Sequence, residues 1–145
     1  MNKTVTFIVC LFATPISVHA LEATTSAVTA PATQSNVLSE NTSGAVSPND
    51  AATLLSDKQA VMIDVRGEDE WKQQHIPGTV NIPLDQLMGR LSELNQYKEK
   101  PIITQCQRGV RSEQAATVLK SLGFTKVYNL EGGIEAWNKA GLKTQ

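Results

Sequence analysis

Pro101-Ile102-Ile103-Thr104-Gln105-Cys106-Gln107-Arg108-Gly109-Val110-Arg111-Ser112 is the stretch from which the fold is read. The short apolar run after Pro101 has the character of a strand covered on both faces. Cys106 stands at its carboxyl end. The polar residues that follow lead directly into Ser112 to Leu122, where Ala115, Val118, Leu119 and Leu122 fall on the i, i+3, i+4, i+7 stripe of one helical face. Gly123 supplies the stop. A strand, a tight loop and a helix in direct succession form the repeating unit of a parallel α/β sheet.

The flanking sequence repeats the pattern. Upstream, Ser47-Pro48-Asn49-Asp50 reads as a helix start, with Ser as cap, Pro at the first helical position and Asp in the first turn. That helix carries Ala51, Leu54 and Leu55 and stops near Asp57. Ala60 to Val65 reads as a buried strand, Glu68 to Gln74 as a short helix, and Thr79 to Ile82 as a strand stopped by Pro83. Leu84, Leu87, Met88, Leu91 and Leu94 keep helical spacing, broken into two pieces at Gly89. Downstream, Lys126 to Leu130 reads as a strand and Ile134 to Lys139 as a closing helix. The expectation is a three-layer α/β/α domain with a central parallel sheet over residues 46–142. Ligands in such sheets bind beyond the carboxyl ends of the strands, and Cys106 lies at that edge.

The segments before this domain read differently. Met1 to Ala20 has a cationic start at Lys3, an apolar run from Val5 to Ala13, and a small residue before the expected cut after Ala20. This is the pattern of a secretory signal peptide. Thr14-Pro15 interrupts the run short of the roughly 20 apolar residues of a membrane-spanning helix, so no membrane anchor is expected after cleavage. Residues 21–45 form an Ala/Thr/Ser-rich spacer with too few large apolar groups to offset its ordering entropy. The expectation is an exported, periplasmic protein. Cleavage removes Cys10 and His19 and leaves one thiol, Cys106, and one imidazole, His75. One Cys closes no internal disulfide, so Cys106 is either an intermolecular bridge or a reactive thiol, and the residues around it decide.

Composition narrows the function. The 145 residues carry a formal net charge of −1, without the basic excess that nucleic-acid binding needs. Only two Cys and two His are present, one of each after cleavage, so a four-ligand zinc site is hard to build. No G-x-S-x-G, G-x-x-x-x-G-K-[ST] or G-x-G-x-x-G motif occurs. The loop after Cys106 is the informative feature. A tight turn aims backbone N–H groups inward as an anion-binding nest, the following helix adds its positive end, and Arg108 and Arg111 add two cations. Gly109 permits a positive φ. Each of these features favours the thiolate.

With Asp64-Val65-Arg66, Glu70-Trp71, His75-Ile76-Pro77-Gly78-Thr79, Asn81-Ile82-Pro83, the Cys106 loop and Leu130-Glu131-Gly132-Gly133 with Trp137, the chain resembles the rhodanese family of sulfurtransferases. It departs from the family pattern at Gln74, where Gly is usual, and at Thr79, where Ala is usual. The resemblance implies that Cys106 is the nucleophile and carries sulfane sulfur as a persulfide, from thiosulfate to a thiol or cyanide, without cofactor or metal. It implies that the N–H groups from Gln107 through Arg108, Gly109 and Val110 to Arg111 cradle the transferred sulfur, and that both arginines dock an anionic donor. One alternative is a non-catalytic sulfane-sulfur carrier. Another is a cysteine phosphatase, but that chemistry uses a wider C-x5-R loop, and this chain has C-x4-R. Asp64 and Arg66 are candidates for the pocket rim or for an ion pair that tethers loops. His75 is assigned a hydrogen-bonding role in the structure, and Trp71 and Trp137 are assigned to packing. Gly132-Gly133 is assigned to a sharp strand-to-helix turn.

Overall fold

The computed structural model describes residues 44–145; residues 1–43, on which the expected signal peptide and nearly all of the expected spacer fall, lie outside the described residues. The elements in chain order are β1 (Ala45–Val46), α1 (Pro48–Ser56), β2 (Val61–Asp64), α2 (Glu68–Gln73), β3 (Val80–Asn81), α3 (Leu91–Leu94), β4 (Ile102–Gln105), α4 (Val110–Ser121), β5 (Val127–Leu130) and α5 (Gly133–Lys139). A 3-10 turn, Asn95–Tyr97, follows α3. The five strands form one sheet in the order β1-β5-β4-β2-β3, and every pairing is parallel.

The expected helix start at Ser47 is present: Ser47 Oγ accepts the Asp50 N–H at 3.3 Å, and Pro48 is the first helical residue. Alternation along the central strands splits the core into two layers. Ile63, Ile102, Cys106, Leu119 and Val127 share a buried cluster with Ala115 of α4 and with Leu87 and Leu94. Met62, Ile103 and Leu130 pack on the other face with Leu54 of α1 and with Ile134 and Trp137 of α5. Cys106 continues the face of Ile102, which turns its side chain toward α4.

Two elements differ from the sequence reading. β1 was not anticipated: Ala45 pairs with Asn129 and Val46 with Leu130 at the sheet edge, and Val46 is fully buried. A two-residue strand is too short to show periodicity, so only its docking on β5 reveals it. The stretch from Leu84 to Leu94 forms a turn-rich connection and a single four-residue helix rather than two helical pieces. Leu87 and Leu94 still reach the core, so the apolar spacing marked burial without marking continuous helix.

Candidate active site

The loop from Cys106 to Gly109 joins β4 to α4. Gly109 adopts φ +101° at the N-cap of α4, the left-handed region where glycine is favoured. That conformation brings its N–H back onto Cys106 Sγ at 3.1 Å. Ser112, one turn into α4 and fully buried, places Oγ at 3.4 Å from the same sulfur. Cys106 itself is 2% exposed. Burial pushes its thiol pKa up, but hydrogen bonds from the Ser112 hydroxyl and the N–H groups of Ser112, Gly109 and Arg108 outweigh it. The net direction is down from the ordinary thiol value.

Of the amide nest, helix start and guanidinium groups expected together to favour the thiolate, the nest supplies hydrogen bonds to the sulfur. The stabilising groups against the sulfur are amides and a hydroxyl, while both loop arginines are engaged with carboxylates. Arg111 makes a two-pronged pair with Glu70, its Nη1 and Nη2 donating to Oε2 and Oε1 at 2.8 Å each. Glu70 thereby holds its own carboxyl below the ordinary value, and Arg111 is held above its own. Glu70 does two tasks, because its Oε2 also accepts the Gly67 N–H that opens α2, at 3.2 Å. Arg108 lies at the surface with Nε donating to Glu135 Oε1 at 3.2 Å. Glu135 is shared, since Gln107 Nε2 donates to the same oxygen at 3.1 Å. Val110 begins α4 with its side chain exposed.

The loop is clamped from α5. Ile134 N–H donates to the Cys106 carbonyl at 2.9 Å and Glu135 N–H to the Gln107 carbonyl at 3.2 Å. Gln105 Nε2 adds a bond to the Cys106 carbonyl at 2.8 Å. These bonds require α5 to start directly over the loop, which the consecutive left-handed turns at Gly132 and Gly133 allow (φ +65° and +60°). From β5, Asn129 Oδ1 lies 2.6 Å from Ser112 Oγ, and its Nδ2 donates to the Gly109 carbonyl at 3.2 Å.

Asp64 and Arg66 do not form a pocket rim. Both are buried, 0% and 3% exposed, and Arg66 grips Asp64 through Nε and Nη2 at 2.7 to 3.1 Å. Arg66 Nη2 also donates to the Gln74 carbonyl at 2.7 Å, so the pair ties the end of β2 to the end of α2. His75 is likewise structural. It stacks on Trp71 with ring centroids 3.8 Å apart, and its Nδ1 bonds the Trp71 carbonyl at 2.8 Å. The Thr79 departure is explained here: Trp71 Nε1 donates to Thr79 Oγ1 at 3.2 Å, a contact an alanine cannot make. Trp137 is buried in the core.

Beside Arg111 the carboxyl ends of β2 and β3 open into a cleft of about 440 Å³, lined by Val65, Gly67, Glu70, Leu84, Asp85 and Arg111 among others. This is the edge where parallel sheets bind ligands. Among the described residues, no cluster of three His, Cys, Asp or Glu side chains gathers to hold a metal.

Fold and site together define an α/β domain that holds a cysteine sulfur inside a short amide loop. The family model of the rhodanese-like domain matches residues 47–140, and the chain belongs to that family. The putative sulfur carrier protein YrkF of Bacillus subtilis is 44% identical over 82 residues, 57% of this chain and 43% of YrkF. The chain spans less than two thirds of the length of the first curated relatives it matches. A rhodanese-related protein of Thermoplasma volcanium superposes with TM-score 0.63 at 27% identity, covering 70% of this chain and 96% of that one. The thiosulfate sulfurtransferase of Pseudomonas aeruginosa gives TM-score 0.63 at 25% identity over 70% of this chain and 19% of that one.

Proposed function

We propose that this chain is a sulfurtransferase in which Cys106 carries sulfane sulfur as a persulfide between a small donor and a thiol or cyanide acceptor. The observation that carries this is the buried sulfur held by the Gly109 N–H and the Ser112 hydroxyl, with its pKa drawn down. The thiolate attacks the sulfane sulfur of the donor. The donor's S–S bond breaks, its electron pair leaves with the departing group, and Cys106 becomes a persulfide. An acceptor thiolate or cyanide then attacks the outer sulfur and returns Cys106 as thiolate. The loop amides stabilise the anionic sulfur in each state without reorganising. Family membership and the relative named as a sulfur carrier support the same chemistry.

The test is intact-mass analysis of the protein before and after a sulfane donor such as thiosulfate. A gain of one sulfur, about 32 Da, is expected on the wild type and is absent in Cys106→Ser. A gain retained in Cys106→Ser overturns the assignment. Steady-state turnover with cyanide separates an enzyme from a carrier, which loads once and stops. The same spectrum tests the proposed export, since a processed chain begins after Ala20.

A further inference from the structure

We infer that Glu70 sets donor specificity by neutralising Arg111, so that the site favours sulfane donors of low net charge, such as an uncharged alkyl persulfide, over dianionic thiosulfate. This deepens the persulfide reading and rests on it. Arg111 is a cation in the first turn of α4, directly before Ser112, whose hydroxyl reaches Cys106 Sγ. Both of its terminal nitrogens are committed to Glu70 at 2.8 Å. The cleft beside it is also lined by Asp85, a second acidic residue. The second loop cation, Arg108, points into solvent against Glu135.

The charge balance of the two reactions makes this pairing decisive. Thiosulfate brings two negative charges to a thiolate: its S–S bond breaks, sulfite leaves with the electron pair, and three negative charges share the encounter. An uncharged persulfide, R–S–SH, brings none. The thiolate takes its outer sulfur, the R–S⁻ group leaves, and a single negative charge passes from Cys106 to the leaving group while the proton stays on the transferred sulfur. Amide donors satisfy the second case. The first needs a full cation, and Glu70 has already taken it. Glu70 is therefore a positioning residue that acts through Arg111 and touches no reacting atom.

The test follows the rate at which sulfur is added to Cys106 by mass, with thiosulfate and with the persulfide of 2-mercaptoethanol, whose protonated fraction is the donor in the step above and is the same in the free-thiol reference. Each rate is divided by that of a free small thiol with the same donor. In Glu70→Gln, which keeps an acceptor for the Gly67 N–H, loading by thiosulfate is expected to rise about tenfold. Loading by the uncharged persulfide is expected to stay within about twofold of wild type. Equal changes for both donors, or none for thiosulfate, overturn the inference. If Glu70→Gln does not melt cooperatively, the wild type decides by salt. Thiosulfate loading should speed up between about 0.02 and 0.3 M salt as like-charge repulsion is screened. Slowing, or no change, shows an accessible cation and overturns the inference. Failure of every donor to load Cys106 instead refutes the persulfide reading itself.

Discussion

Ser112 has one hydroxyl proton and three acceptors near it: Asn129 Oδ1 at 2.6 Å, the Gly109 carbonyl at 3.0 Å and Cys106 Sγ at 3.4 Å. An anionic sulfur competes for that proton far better than a neutral thiol, because charge-assisted hydrogen bonds are the stronger ones. Ser112→Ala removes the donor from a buried position, and the thiol pKa is expected to rise. The pH profile of Cys106 alkylation by iodoacetamide moves to higher pH, with a slower rate at pH 7. Arg111→Ala moves the same profile less, because amides and a hydroxyl, rather than guanidinium charge, hold the thiolate. A larger shift in Arg111→Ala than in Ser112→Ala reverses that ranking. Cys106 was legible in the sequence because one thiol at a strand's end beside a Gly-Val-Arg loop has few other readings. Its neighbours were less so. Glu70 lies 41 residues from Arg111 and Glu135 lies 27 from Arg108, and no local pattern records which carboxylate the folded chain returns to which cation.

Elements place these residues, and here the chain order β-loop-α was readable almost throughout. The apolar strands Val61–Asp64 and Ile102–Gln105 and the capped helix at Pro48 follow from residue type alone. The clamp of α5 on the loop was only half readable. Gly132-Gly133 announces a sharp turn, but the close approach behind it comes from packing. A Cβ on Gly133 would overlap the Cys106 carbonyl oxygen and come within 2.6 Å of the Gln107 carbonyl. Gly133→Ala therefore combines a strained positive φ with backbone overlap at the site. A loss of about 1–3 kcal/mol of stability is expected from the conformation alone. The distinguishing readout is chemical: pushing Gln107 away should also disturb the Cys106 alkylation profile, whereas Gly123→Ala, with open space around its Cβ position, should leave that profile in place. Equal profiles in the two variants would show that α5 does not set the loop.

At the scale of the whole molecule, the site is linked to the stability of the fold. A thiol whose folded pKa lies below its unfolded value leaves the unfolded chain with more bound protons between those two values, so stability rises with pH across that window. The contribution is fully present above the unfolded thiol's pKa and is lost as pH falls through the folded one. Cys106 is in this position, because the fold gathers N–H and O–H donors around its sulfur. The contribution is collective: Gly109 and Ser112 come from the α4 start, Ile134 and Glu135 brace the loop from α5, and Asn129 of β5 ties Ser112 to the sheet. Chemical denaturation of wild type and Cys106→Ser from about pH 5 to about pH 10.5 isolates it, since the serine does not titrate there. The stability of wild type relative to Cys106→Ser is expected to increase with pH and then level off above the unfolded thiol's pKa. A difference independent of pH would mean that the fold does not favour the thiolate, and a difference shrinking with pH would mean that burial outweighs the loop. The alkylation midpoint of the native protein must then coincide with the lower edge of the window, because both measurements report the same proton.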